Sequence, residues 1–264
     1  MSGALLVPDL PPAARGDVAR AVALLERPAL AARIAAYVGL PVRRLAERLP
    51  DPLREGLGSA VQAALQAAVR AAERSAPGRA PFGLSPEVWQ SGLVLASGAF
   101  GGAFGVKGTL AELPLTTTLL LRDILAVAEE EAEPPATRAA EALKVFALGS
   151  RSEEDDDAGT GYFALRLALA ETSPAMLAQA ATAALPGLLG LVAQRYAGPV
   201  AAKLAAQAAP LVGAATGAGL NLLFRRHYCD VARGHFLLRR LERSYGAERI
   251  ARAYAAVSGL VPAQ

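Results

Sequence analysis

Four side chains are of the types from which a hydrolytic or metal-assisted site could be built: Glu112, His227, Asp230 and His235. The two histidines are the only ones in the chain, and helical periodicity predicts one long helix carrying both, with Asp230 between them. At 100° per residue, Asp230 projects about 60° to one side of His227 and His235 about 80° to the other. The imidazoles are then about 12 Å apart along the axis, too far to share one small metal ion on a straight helix. His227 and Asp230 could supply two ligands, with Glu112 a third from another segment. Without a metal, Glu112, Asp230 and His235 could divide general acid–base work if their segments crossed. The alternatives are structural hydrogen bonding for the histidines, and a buried ion pair or a helix N-terminal acid for Glu112. No cofactor is assigned by these residues.

Other reactive-looking groups have weaker settings. Thr116, Thr117 and Thr118 have no base nearby in sequence, and a helical threonine usually hydrogen-bonds the previous turn. There is no GxSxG elbow, and GGAFG lacks both the GK[ST] ending and the preceding strand of a phosphate loop. The acidic run RSEEDDD at 151–157 does not have calcium-loop spacing. One cysteine, Cys229, excludes an internal disulfide and a thiolate zinc cage.

The elements that must position these groups are helices. Gly98, Gly101, Gly102, Gly105 and Gly108 recur at three- and four-residue steps. Each costs about 1 kcal/mol in a helix relative to alanine, a cost normally offset by close backbone approach. Gly98, Gly102 and Gly105 fall within about 60° on one helix face. The expected partner is 213–219, where Gly213 and Gly217, with Ala214 and Ala218, repeat the small-residue spacing. Pro28, Pro41 and Pro50 punctuate two or three amphipathic helices over 15–75, and Leu45, Leu49, Leu53 and Leu57 recur every fourth residue. Residues 75–84, dense in proline and glycine, read as a linker. Helices are expected from Ser85-Pro86-Glu87, from Pro114 to about 131, and from a Thr137 cap to Gly149. Others follow at about 161–171, 174–185 and 198–209, then a long one over 214–245 and a short one over 247–257. No strand alternation appears. The fold expected is an all-α, Ala/Gly-rich multi-helix bundle with a long C-terminal helix. It divides into N-terminal amphipathic helices (1–75), a linker (76–84) and a helical domain (85–257).

The chain has 264 residues, of which 53% are hydrophobic, only 5% aromatic and 19% charged, with a formal net charge of +3. So small a charge gives no nucleic-acid footprint. Three uncharged stretches, 88–106, 172–194 and 204–224, approach the length of a bilayer core. Their alanine, glycine and proline content fits a buried helical core better than spanning helices. A peripheral or shallowly inserted form stays open. The long helix carries Arg225, Arg226, Arg233, Arg239, Arg240 and Arg243. They could form a solvated face, a surface for anionic lipid or a membrane protein, or a dock for the acidic run. No signal peptide is evident, which leads us to expect a cytoplasmic protein, or one peripheral to the inner membrane.

One set of motifs resembles the EcsC protein family of bacteria. It comprises Glu112-Leu113-Pro114, Thr116-Thr117-Thr118 and Leu121-Arg122, then Val145-Phe146-Ala147-Leu148-Gly149 and Gly161-Tyr162. Ala206-Gln207, Pro210, Gly213 and Asn221 follow, then Asp230, Gly234-His235-Phe236 and Arg240-Leu241-Glu242. The resemblance covers roughly 85–255. It implies a helical protein whose family is named after a gene neighbouring an ABC transporter, and it brings no catalytic residues. The family pattern commonly has aspartate before Leu-Pro, where this chain has Glu112. On the sequence, then, this is an accessory or interaction protein of the cytoplasmic membrane face, or else an enzyme built on Glu112, Asp230 and His235.

Overall fold

Gly105 reverses the chain in the middle of its longest helical run. The computed structural model describes residues 10–39, 49, 51–74, 86–151, 162–171, 185–208 and 213–259. We number its helices α1 (Pro12–Leu25), α2 (Leu30–Val38), α3 (Asp51–Arg74), α4 (Pro86–Glu130) and α5 (Pro135–Leu148), then α6 (Tyr162–Glu171), α7 (Leu185–Gln207), α8 (Ala214–Tyr245) and α9 (Ala247–Ser258). Within α4, Gly105 has φ 60° and ψ −141°, a backbone that side chains rarely tolerate. The two arms fold back on each other. Ser97 Oγ lies 3.4 Å from Thr116 Oγ1, and Arg225 reaches both Ser91 and Asp123. A Cβ on Gly101 would lie 3.0 Å from the Glu112 side chain, and one on Gly108 would meet Phe104 at 2.6 Å. α4 is thus an antiparallel helical hairpin.

This corrects the expectation of a new helix at Pro114. The second arm starts after Gly105, and Pro114 stands inside it on the exposed face. There the carbonyl it leaves without a donor, one turn back, can be met by water. Two other boundaries differ. α5 begins at Pro135 rather than under a Thr137 cap, and the Thr137 hydroxyl instead donates to Glu133 at 2.7 Å. α7 runs through Pro199 from Leu185 instead of starting near 198. Gly149 does end α5, but in a right-handed conformation. It is needed for space, since a Cβ would lie 2.6 Å from the Tyr228 ring.

The glycine contact sits between the first arm of α4 and the start of α8. A Cβ on Gly98 would be 2.5 Å from Gly217 O, and one on Gly102 would be 2.7 Å from Gly213 O and 2.9 Å from Gly217 Cα. Two predicted members play other parts. Gly105 is the turn, with its nearest neighbour 3.8 Å away, and Gly213 has open space where a side chain would be and contributes only its carbonyl.

α8 is the central helix, packed on α4, α1, α9, α5 and α2, while α3 packs on α4 and α7. Val18, Leu30, Ile34, Val61 and Leu65 from the N-terminal helices join Phe146, Tyr196, Tyr228 and Leu238 in one core. The division at 76–84 therefore does not separate two cores. Residues 75–85 lie outside the described residues, as do the acidic run at 152–157 and all but the last residue of the helix expected at 174–185. Among the described residues no strand is present and no helix is long and apolar enough to cross a membrane.

Candidate functional site

Glu112 lies in a polar centre enclosed by α4, α7 and α8. Because Gly101 opposite has no side chain, the carboxylate fits between the arms of the hairpin. It forms an ion pair with Lys203 of α7, and both side chains are almost wholly buried. Its other oxygen accepts from Thr116 Oγ1 at 3.1 Å and from Asn221 Nδ2 at 3.0 Å. The Asn221 amide also reaches Val94 O at 3.1 Å and Ser97 Oγ at 3.0 Å, joining α8 to both arms. Burial lowers the pKa of Lys203, and the Glu112 charge opposes that shift. Around this pair the buried Gln207 amide and Asn221 Oδ1 have no hydrogen-bond partner among the described residues. The Thr117 and Tyr196 hydroxyls interact electrostatically without meeting hydrogen-bond geometry. Glu112 is thus a mid-helix acid in an ion pair, not a helix N-terminal one.

His235 belongs to a second centre, between α8, α5 and α6. Its Nε2 lies 3.0 Å from Glu141 Oε2 and its Nδ1 2.6 Å from Tyr162 Oη. Burial lowers the pKa of His235 although Glu141 raises it, which favours the neutral imidazole. Nε2–H then donates to Glu141, and the Tyr162 hydroxyl donates to Nδ1. Burial alone would raise the pKa of Glu141. The hydrogen bond from His235 and the charges of Lys144 and Arg239 outweigh it and hold the carboxyl well below its usual range. Burial pushes the Tyr162 hydroxyl up, keeping it a donor. Arg239 at 2.6 Å and Arg243 at 2.6 Å clamp Glu133, and Arg166 holds Glu242 through two bonds of 2.6 and 2.7 Å. A tyrosine–histidine–carboxylate chain of this kind could pass a proton, but its members are sealed in the core.

The predicted candidates do not converge. Asn221, which holds Glu112, and His235 are fourteen residues apart on α8, roughly 20 Å along the axis. Asp230 faces elsewhere and pairs with Arg27, while His227 accepts from Arg33 at 3.0 Å and donates to Gly149 O at 2.7 Å. Burial, with Arg33 close by, pushes the His227 pKa down to about 4 despite the Gly149 carbonyl. Among the described residues no three His, Cys, Asp or Glu side chains are grouped to hold a metal. Each acid and imidazole is engaged by a different neighbouring segment, which the sequence of α8 alone does not reveal.

The six arginines divide in the same way. Arg225 pairs with Asp123 at 2.6 Å, Arg240 with Asp17 at 3.1 Å and Glu131 at 3.2 Å, and Arg239 and Arg243 with Glu133. Arg233 stays mostly exposed, 3.8 Å from Asp230, and Arg226 is exposed with no partner among the described residues. The expected arginine surface is therefore largely a set of clamps that hold α8 in the bundle. Lys203, Glu141 and Glu133 were not singled out from the sequence. Lys203 had a signal, being the only charge between Arg195 and Arg225.

Fold and site together define an all-α protein whose glycine-packed hairpin and central helix enclose two buried polar centres. The chain belongs to the EcsC protein family, whose family model matches residues 87–241. That match takes in the α4 hairpin, α5, α6, α7 and nearly all of α8, and so both polar centres. No curated protein and no solved structure matches the chain.

Proposed function

We propose that this protein is a non-enzymatic accessory module that docks peripherally on the cytoplasmic face of a membrane, serving an integral membrane protein such as a transporter. The observation that carries the reading is the outer face of the α4 hairpin. Phe100 and Phe104 meet with ring centroids 4.8 Å apart, tilted by 48°, beside the turn and are 51% and 64% exposed, with Leu115 at 50% on the other arm. From residue 88 to 111 the only charge is Lys107, next to the turn. Two aromatic rings exposed at a helical turn, with a lysine for the head-group level, fit shallow insertion into an interface. Glu112 and the two histidines, by contrast, are held in buried contacts, and Asp230 is paired with Arg27.

The test is flotation with neutral phosphatidylcholine vesicles. Phe100→Ser/Phe104→Ser should weaken binding at least tenfold, because burying each ring in the interface gains on the order of 1–2 kcal/mol. A protein that stays with the soluble fraction and ignores vesicles would overturn the reading.

A further inference from the structure

Where the first arm of α4 runs beside α8, the two helices leave an open groove of about 530 Å³. One wall is uncharged and partly apolar: Val88, Ser91, Gly92 and Leu95. The other is Arg225, Arg226, Cys229, Asp230 and Arg233. We propose that this groove binds the phosphate head group of an anionic phospholipid, with the upper part of its acyl chains along Val88 and Leu95. The proposal rests on the membrane-docking reading and names the lipid that the docked protein selects.

Charge and shape point to this ligand. The wall acid, Asp230, is neutralised by Arg27 and approached by Arg233, and Arg225 is fixed by Asp123 beneath it. Four guanidinium groups thus stand against two carboxylates, and at the mouth Arg226 has no partner among the described residues. A planar fork of N–H donors fits a phosphate through paired charge-assisted bonds. Gly92 keeps the opposite wall low, with no atom within 4 Å of where its Cβ would be. Val88 and Leu95 are exposed apolar residues that a bare phosphate ion would leave in water and a phospholipid would cover. The groove also lies on the arm that carries Phe100 and Phe104. Leu95 and Phe104 are nine residues apart, about 14 Å along the helix and about 180° around it, so groove and rings are different faces of one arm and can be tested apart. The Cys229 thiol, pushed up to about 12 by burial, is not a competing nucleophile or anion.

Trp89, the only tryptophan, neighbours Val88 of the groove wall in sequence and serves as the optical probe. The full chain is titrated with short-chain phosphatidylglycerol below its micelle concentration, with the matching phosphatidylcholine, and with inorganic phosphate, following Trp89 emission. Phosphatidylglycerol should saturate at least tenfold more tightly than either of the others. Arg226→Ala/Arg233→Ala should lose that advantage, and Arg226→Lys should keep part of it. Among the described residues Arg226 has no partner and Arg233 only a contact of 3.8 Å, so the double variant should melt like the parent. Equal affinity for the two lipids, an unchanged titration in the double variant, or phosphate binding as tightly as the lipid would each overturn the proposal. Phe100→Ser/Phe104→Ser should weaken flotation with neutral vesicles at least tenfold yet leave the short-chain titration intact. Loss of flotation by the parent would count against docking, and loss of lipid discrimination against the groove.

Discussion

At the scale of single residues, Glu112 and Lys203 are each the sole charge in a long uncharged stretch, 108–121 and 196–224 respectively. Two such charges of opposite sign, both buried, require each other. Removing either leaves the other uncompensated, which costs about 3–5 kcal/mol. Urea denaturation should show that loss for Lys203→Met, and Glu112→Gln/Lys203→Met should cost less than the sum of the two single changes. An additive double variant would deny the coupling. The acid was legible in sequence because it stood alone among glycines, but its partner lies 91 positions away, where no periodicity links them. His227 supports a prediction in pH. Its unfolded value is near 6.5 and its folded value about 4, so between them the unfolded chain binds more protons and stability falls as the pH is lowered. His235, also lowered, adds in the same direction. The low carboxyls of Glu133 and Glu141 act only below about 4.5. From pH 8 to pH 5 His227 should therefore contribute a loss of about 2 kcal/mol. His227→Gln, which can keep both hydrogen bonds, should flatten that slope without removing it. Denaturation midpoints across the range measure both, and an unchanged slope would deny His227 its part.

At the scale of elements, the hairpin shows how far a spacing rule carries. The recurrence of glycine on one face placed Gly98 and Gly102 against Gly217, because close approach leaves a periodic trace. It also swept in Gly105, since a turn glycine and a packing glycine look alike in sequence and differ only in φ. Pro114 drew the expected helix start to itself, whereas the actual break needed no proline. The two roles separate by substitution. Gly102→Ala should destabilise, and Gly102→Leu should cost 1–3 kcal/mol or more, because backbone lies 2.7–3.0 Å from the new Cβ and cannot yield like a side chain. Gly105→Ala has room but is strained at positive φ and should cost about 1–2 kcal/mol. Gly92→Ala, in open helix, should stabilise by up to about 1 kcal/mol. Thermal melts of the four variants rank them, and a neutral Gly102→Ala would remove the close-packing account.

At the scale of the whole molecule, the N-terminal helices are structural partners of the family-matched region rather than an appendage. Their amphipathic pattern was readable, yet nothing local in it says which surface they cover. α1 lies along α8 and α9, and α3 along α4 and α7. They bring more than apolar cover. Arg33 bonds His227, Arg27 neutralises Asp230, Asp17 pairs with Arg240, and Arg151 bonds Glu26 at 3.0 Å. Deleting residues 1–75 would strip Val18, Leu30, Ile34, Val61 and Leu65 from a shared core and leave several charges unpaired. Each fully buried aliphatic side chain contributes about 1.5–3 kcal/mol, so losing these five exceeds half the stability of an ordinary domain. The truncated chain should therefore lose its cooperative thermal transition, expose apolar surface to a hydrophobic dye, and aggregate, even though every residue matched to the family is retained. If it instead melted cooperatively near the parent's midpoint, the N-terminal helices would be a separate layer on an independent core.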